Sequence, residues 1–113
     1  MAKTVIVVVM LVGFVLAAPL TRSAYAQGDG AAVYAAQKCS LCHALDGKGN
    51  AKGALDEVGS KLTADDIRQW IVNPVDMAAK KSATRKPAMK AYATLPKADL
   101  DALVTFLSAK KKK

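Results

Sequence analysis

The chain has little of several things, and each scarcity narrows what it can be. One histidine and two cysteines occur among its 113 residues, so a closed zinc site, which takes four ligands of those types, cannot be built. No strand pattern of useful length is present, which excludes the strand-flanked Cys-x-x-Cys of a thioredoxin-like redox pair. Acidic residues number 9 against 17 lysines and arginines, a net charge of +8. A basic balance can mark a nucleic-acid binder, but with two phenylalanines and no nucleic-acid motif none is expected, and acidic protein partners or anionic headgroups fit better. There is no internal repeat, and the four terminal lysines are the only low-complexity run past the first thirty residues.

Long hydrophobic runs are also scarce, and the one present is N-terminal. Lys3 supplies a positive charge, Thr4 to Leu20 is almost wholly apolar, and Ala24-Tyr25-Ala26 puts small residues at the two positions a signal peptidase reads. The strongly apolar part, Val5 to Ala18, is 14 residues long, short of the roughly 20 a bilayer span needs. These features predict a signal peptide, residues 1–26, cleaved after Ala26, and a periplasmic or otherwise exported protein. A leader retained as a membrane anchor is the alternative. The remainder, 27–113, is one domain of 87 residues with 15 cations against 9 acids. Its core is marginal for its size unless something non-protein completes it. Ten of the cations fall from Lys80 onward, in Lys80, Lys81, Arg85, Lys86, Lys90, Lys97 and the tail Lys110 to Lys113, against Asp99 and Asp101. The tail reads as a solvated terminal charge run.

Three helices can be placed in an all-α fold. The first runs from Gly30 to Lys38 behind Asp29 as N-cap. The second opens on Thr63-Ala-Asp-Asp66, a capping-box variant, and sets Ile67, Trp70 and Ile71 on one face before Asn73-Pro74 stops it. The third starts at Pro96 or Lys97 and carries Leu100, Leu103, Val104 and Leu107 on one stripe with Phe106 on its flank. Between them, 44–62 and 74–95 read as long loops, and long loops in so small a domain usually wrap something.

The run QKCSLCHALDGKGN, residues 37–50, holds both cysteines and the histidine. A disulfide between Cys39 and Cys42 would not need His43, and closing a two-residue loop gives little entropic benefit. Covalent haem attachment uses all three groups in this order: two thiols form thioethers with the haem vinyl groups, and the next residue's imidazole becomes the proximal ligand. The spacing therefore predicts one haem c anchored at Cys39 and Cys42 with His43 on the iron.

With these elements in hand, nearly all of the mature chain resembles the class I c-type cytochromes, whose small fold wraps helices and long loops around one haem. Gly30, Tyr34 and the Cys39-Ser-Leu-Cys42-His43 run look like that family's first helix and haem-binding site. Lys52-Gly-Ala-Leu55 resembles its Gly-Pro-x-Leu turn, Trp70-Ile-Val-Asn-Pro74 its central helix end, and Leu100 to Leu107 its last helix. The resemblance implies that the first and last helices cross, Gly30 and Tyr34 meeting Leu103 and Phe106. It implies that the carbonyl of Ala54, standing for the family's proline, accepts the proximal imidazole N–H. Tyr34 precedes Cys39 by five residues where the family more often has four, so the junction carries one extra residue.

For the sixth iron ligand the mature chain offers Met77 and Met89. The family's ligand methionine stands 17 residues before the aromatic of the last helix, and Met89 precedes Phe106 by 17, so the resemblance implies Met89. Lys86 and Lys90 flank it, but a lysine must first lose its proton. Tyr34, Leu62, Trp70, Ile71 and Leu103 are candidates for the haem wall, with Trp70 able either to donate its indole N–H to a propionate or buried carbonyl or simply to fill core. The resemblance thus implies a non-enzymatic carrier of one electron between Fe(II) and Fe(III), expected to be monomeric, and the basic cluster Lys80, Lys81, Arg85, Lys86 and Lys90 is where acidic redox partners are expected to dock. A haem subunit fixed to a membrane complex by an uncleaved leader is the alternative. Thiol–disulfide exchange and peroxidase chemistry rank below both, the latter because no second histidine or catalytic acid supports it.

Overall fold

The computed structural model describes residues 29–113; the leader expected at 1–26 and its cleavage site lie outside the described residues. Asp29 accepts from the backbone N–H groups of Ala31 and Ala32, satisfying two donors that a helix start leaves open, and α1 (Gly30–Ala36) follows. It ends two residues earlier than expected. Lys38 adopts a left-handed conformation, φ 56°, and this bend ends the helix and starts a 3-10 turn at Cys39–Leu41. The extra residue between Tyr34 and Cys39 thus lies in a chain that turns, not in a longer helix.

The segment expected to be loop at 44–62 contains a two-residue antiparallel pair, β1 (Ala44–Leu45) with β2 (Lys48–Gly49), a 3-10 turn at Ala51–Gly53, and the short α2 (Val58–Lys61). Thr63 Oγ1 accepts from Asp66 N–H at 3.1 Å and opens α3 (Ala64–Val72) as the capping pattern implies. Pro74 does not only stop α3. It also starts α4 (Pro74–Lys80), which was expected to be loop; proline at the first helical position loses only an N–H that would be unpaired anyway. Residues 81–96 are irregular, and α5 (Lys97–Ser108) closes the fold.

The core is the crossing of α1 with α5, joined by α3. Val33, Tyr34, Ile67, Ile71, Leu103, Val104 and Leu107 are all buried in one cluster, each large apolar side chain contributing about 1.5–3 kcal/mol. Gly30 is what lets the two backbones approach. A Cβ there would collide with the Ala102 carbonyl and with Phe106 Cβ, so Gly30 meets Phe106 as expected, with Ala102 beside it. The Tyr34 and Phe106 rings sit 6.2 Å apart at 58°, a tilted aromatic pair. Arg68 reaches across from α3 to Asp101 on α5 at 2.7 Å, and Lys97 pairs with the same carboxylate at 2.6 Å.

The lysine tail is exposed from Lys111 to Lys113, as a solvated run would be, but it is also anchored. The Gly59 N–H donates to Lys110 O at 2.8 Å, Lys111 Nζ to Gly59 O, and the Lys112 N–H to Ser60 Oγ at 2.7 Å, so 110–112 are tied to α2. Lys110 Nζ also lies 4.5 Å from the Phe106 ring centroid, within cation–π range.

Candidate functional site

One cavity of about 630 Å³ opens between α3, α5, the 39–43 turn and segment 81–96, within the range of sites that bury a sizeable ligand. Tyr34, Cys39, Cys42, His43, Leu62, Trp70, Ile71, Met89 and Leu103 all border it, so every site residue proposed from sequence is brought to one place. Met77 is not on its lining and is 4% exposed; of the two methionines among the described residues, only Met89 faces the cavity. Leu55, Val58, Ile67, Val75, Tyr92 and Leu107 complete much of the wall. Ile67 and Leu107 belonged to helical stripes already visible in the sequence. Val75 needed α4, and Tyr92 had no local signal at all.

The 3-10 turn sets Cys39 half-buried and Cys42 exposed. Burial pushes the Cys39 thiol above its ordinary pKa, only partly opposed by a backbone hydrogen bond. That is the reverse of what a nucleophilic exchange thiol requires. His43 follows at once, and its Nδ1 lies 2.9 Å from the carbonyl of Gly53. A carbonyl can only accept, so Nδ1 carries the proton and Nε2 is left with its lone pair for a metal. Ala54 was expected to supply this carbonyl. The acceptor is one residue earlier because the 3-10 turn at Ala51–Gly53 presents Gly53 to the imidazole. Burial lowers the His43 pKa, with the Arg85 charge adding to it and the Gly53 bond opposing, which favours the neutral, metal-binding imidazole.

The residues present fit a haem. The wall is mostly apolar, two thiols stand at its edge three residues apart, and the only imidazole in the chain is oriented with one nitrogen spare. Tyr34 Oη is buried on this wall without a protein partner, a polar atom that a packed interior would not normally leave unpaired. Burial pushes its pKa up, so it is a neutral donor. Among the described residues no cluster of three or more His, Cys, Asp or Glu exists that would hold a bare ion instead.

A small all-α domain of this architecture, wrapped around a cavity that begins at Cys-x-x-Cys-His, is a class I c-type cytochrome. The family model described as cytochrome c oxidase, cbb3-type, subunit III matches residues 26–107, and the chain belongs to that family. It carries haem c bound covalently through Cys39 and Cys42. Comparison with curated proteins and with solved structures gives no match.

Proposed function

We propose that this chain is an exported one-electron carrier in which His43 Nε2 and the Met89 sulfur are the axial ligands. The observation that carries this is the convergence of Cys39, Cys42, the oriented His43 and Met89 on one cavity, with Met77 buried elsewhere. The haem supplies, when bound, the Fe(III)/Fe(II) couple. Gly53 fixes the His43 tautomer and ring direction, and raises the basicity of the ligating nitrogen. Leu62, Trp70, Ile71 and Leu103 exclude water, and Tyr34 offers its hydroxyl as a donor inside the wall. A thioether needs no deprotonation to bind a metal, unlike Lys86 or Lys90 on the same rim.

Lys38, Arg85, Lys86 and Lys90 border the cavity mouth; Lys80 and Lys81, grouped with them from sequence, do not line it. This rim would draw an acidic redox protein by its field in a brief encounter. Leu41, 72% exposed, and Val75, 71% exposed and also on the cavity, supply apolar contact to such a partner. Export with cleavage after Ala26 and a monomeric state complete this reading. The family match favours a second one, a haem c subunit held in a respiratory membrane complex. Among the described residues no helix is long and apolar enough to cross a membrane, so such attachment would fall to the leader or to a partner. Fractionation separates the two: a soluble chain starting at Gln27 supports the carrier, and a membrane-bound chain supports the subunit, held by its leader where Met1 is retained and by a partner where it is not.

The ligand assignment is tested on the ferric holoprotein. Met89→Ala should abolish the weak long-wavelength charge-transfer band of methionine-ligated haem and lower the potential. Met77→Ala should keep both and lose stability by about 2–5 kcal/mol as a buried truncation. The opposite pattern would exchange the roles of the two methionines.

A further inference from the structure

Met89 sits in a segment with few anchors. None of residues 81–96 is fully buried, and the bonds that tie the segment to the rest of the fold stand on either side of the methionine. After it, the Tyr92 N–H donates to Ile71 O at 2.8 Å and Tyr92 Oη to Gln37 O at 3.4 Å. Before it, Arg85 Nη2 donates to the carbonyl of Cys42 at 2.6 Å, joining positions 43 apart in sequence. Behind Arg85, the next backbone bond is the local one from Ala83 N–H to Ala78 O.

The guanidinium also touches a second part of the attachment segment. A Cβ on Gly53 would meet both Arg85 Nη1 and the Cys42 carbonyl, so Arg85, Cys42 and Gly53 are in mutual contact only because position 53 has no side chain. Cys42 is a covalent haem anchor, and Gly53 is the residue whose carbonyl orients His43. One planar, permanently charged fork therefore connects the Met89 segment to both elements that fix the histidine side, with a charged donor whose bond to a carbonyl is stronger than a neutral one.

We propose that Arg85 is a positioning residue that latches the Met89 segment to the haem-attachment turn and so keeps the sulfur in place against competing ligands. The proposal rests on the reading that Met89 is the sixth ligand. Without Arg85 the stretch before Met89 is untethered back to Ala83, and the segment opens more often about its Tyr92 anchor.

The test is imidazole titration of the ferric holoprotein, followed by its absorption spectrum, for the native protein, Arg85→Met, Met89→Ala and Lys52→Met. Lys52 adjoins Gly53, so its replacement removes a neighbouring positive charge without touching the cross-segment bond. Arg85→Met should retain the methionine charge-transfer band in the absence of imidazole yet bind imidazole about tenfold more tightly, the scale of one charge-assisted hydrogen bond. Lys52→Met should shift imidazole affinity less than about twofold, since exposed charge is well screened. Arg85→Gln, which keeps a shorter amide, carries the same expectation and serves if the methionine variant does not accumulate. Arg85 variants that match either the native protein or Lys52→Met overturn the latch and leave Met89 ligation standing. A native protein that lacks the band and takes up imidazole as readily as Met89→Ala removes the ligation reading, and the latch with it.

Discussion

At the α1–α5 crossing, Val33, Tyr34, Leu103, Val104 and Leu107 are buried against one another, whereas in segment 81–96 Met89, Tyr92 and Leu95 reach only half-burial and every other residue is exposed. The crossing is held by apolar area and close backbone approach, which act between protein groups alone. The segment is held by a few hydrogen bonds to Ile71, Gln37 and Cys42 and by Met89, Tyr92 and Leu95 resting on the edge of the core, with Met89 and Tyr92 also bordering the cavity. Because so little of 81–96 is buried, its order depends on what fills the cavity, while the order of α1 and α5 depends much less on it. The region that carries the proposed sixth ligand is the one with the least structure of its own, as regions of low local stability often are.

The largest expected effect comes from removing the anchors. Cys39→Ala together with Cys42→Ala should strip covalent haem from the denatured chain, seen as loss of haem staining on a denaturing gel. Amide exchange in 81–96 should then accelerate more than in α1 and α5; an equal rise throughout would show that the two regions unfold as one unit and break the comparison. Gly30→Val attacks the other side. Its side chain meets the Ala102 carbonyl and Phe106, and overpacking at a helix crossing costs about 1–3 kcal/mol. The denaturant midpoint should fall while the charge-transfer band of the remaining folded protein stays, which separates crossing stability from ligation.

A smaller effect sharpens the role of the exposed segment. Lys86→Glu with Lys90→Glu should slow electron transfer to an acidic redox protein at low salt, and about 0.5 M salt should erase most of the difference as screening shortens to a few ångströms. A rate indifferent to both would place docking elsewhere, with the α2-bound lysine tail the next surface to reverse. The smallest effect is at Asp101, whose carboxyl is held below its ordinary pKa by hydrogen bonds from Lys97 and then Arg68. A lowered folded pKa means that this stabilisation is complete above the ordinary carboxylate range and is lost as pH falls through the lowered value. Asp101→Asn should therefore lower the denaturant midpoint slightly at neutral pH and match the native protein in strong acid. A gap that persists in acid would assign the loss to geometry instead of charge.

Much of this was legible because it is local. Asp29 and Thr63 cap helices within three residues of themselves, and Cys39, Cys42 and His43 share five positions, so their chemistry was readable before any fold was known. The stripe Leu100, Leu103, Val104 and Leu107 identified the buried face of α5 from its period alone. α4 was missed because Asn73-Pro74 signals a helix end and a helix start equally well, and the neighbouring sequence does not distinguish them. The acceptor for His43 was placed one residue late, since a 3-10 turn of three residues is too short to leave a periodic pattern.

The sequence by itself determined the haem attachment, its order of anchors and ligand, and the apolar faces that would build a core, because each depends on residue type and short spacing. Only the tertiary structure decided which carbonyl orients His43, that Arg85 reaches Cys42, and that the lysine tail lies on α2. Those contacts join residues 10, 43 and 52 positions apart. Their formation depends on where the α1–α5 crossing places the intervening chain, and no spacing rule encodes that.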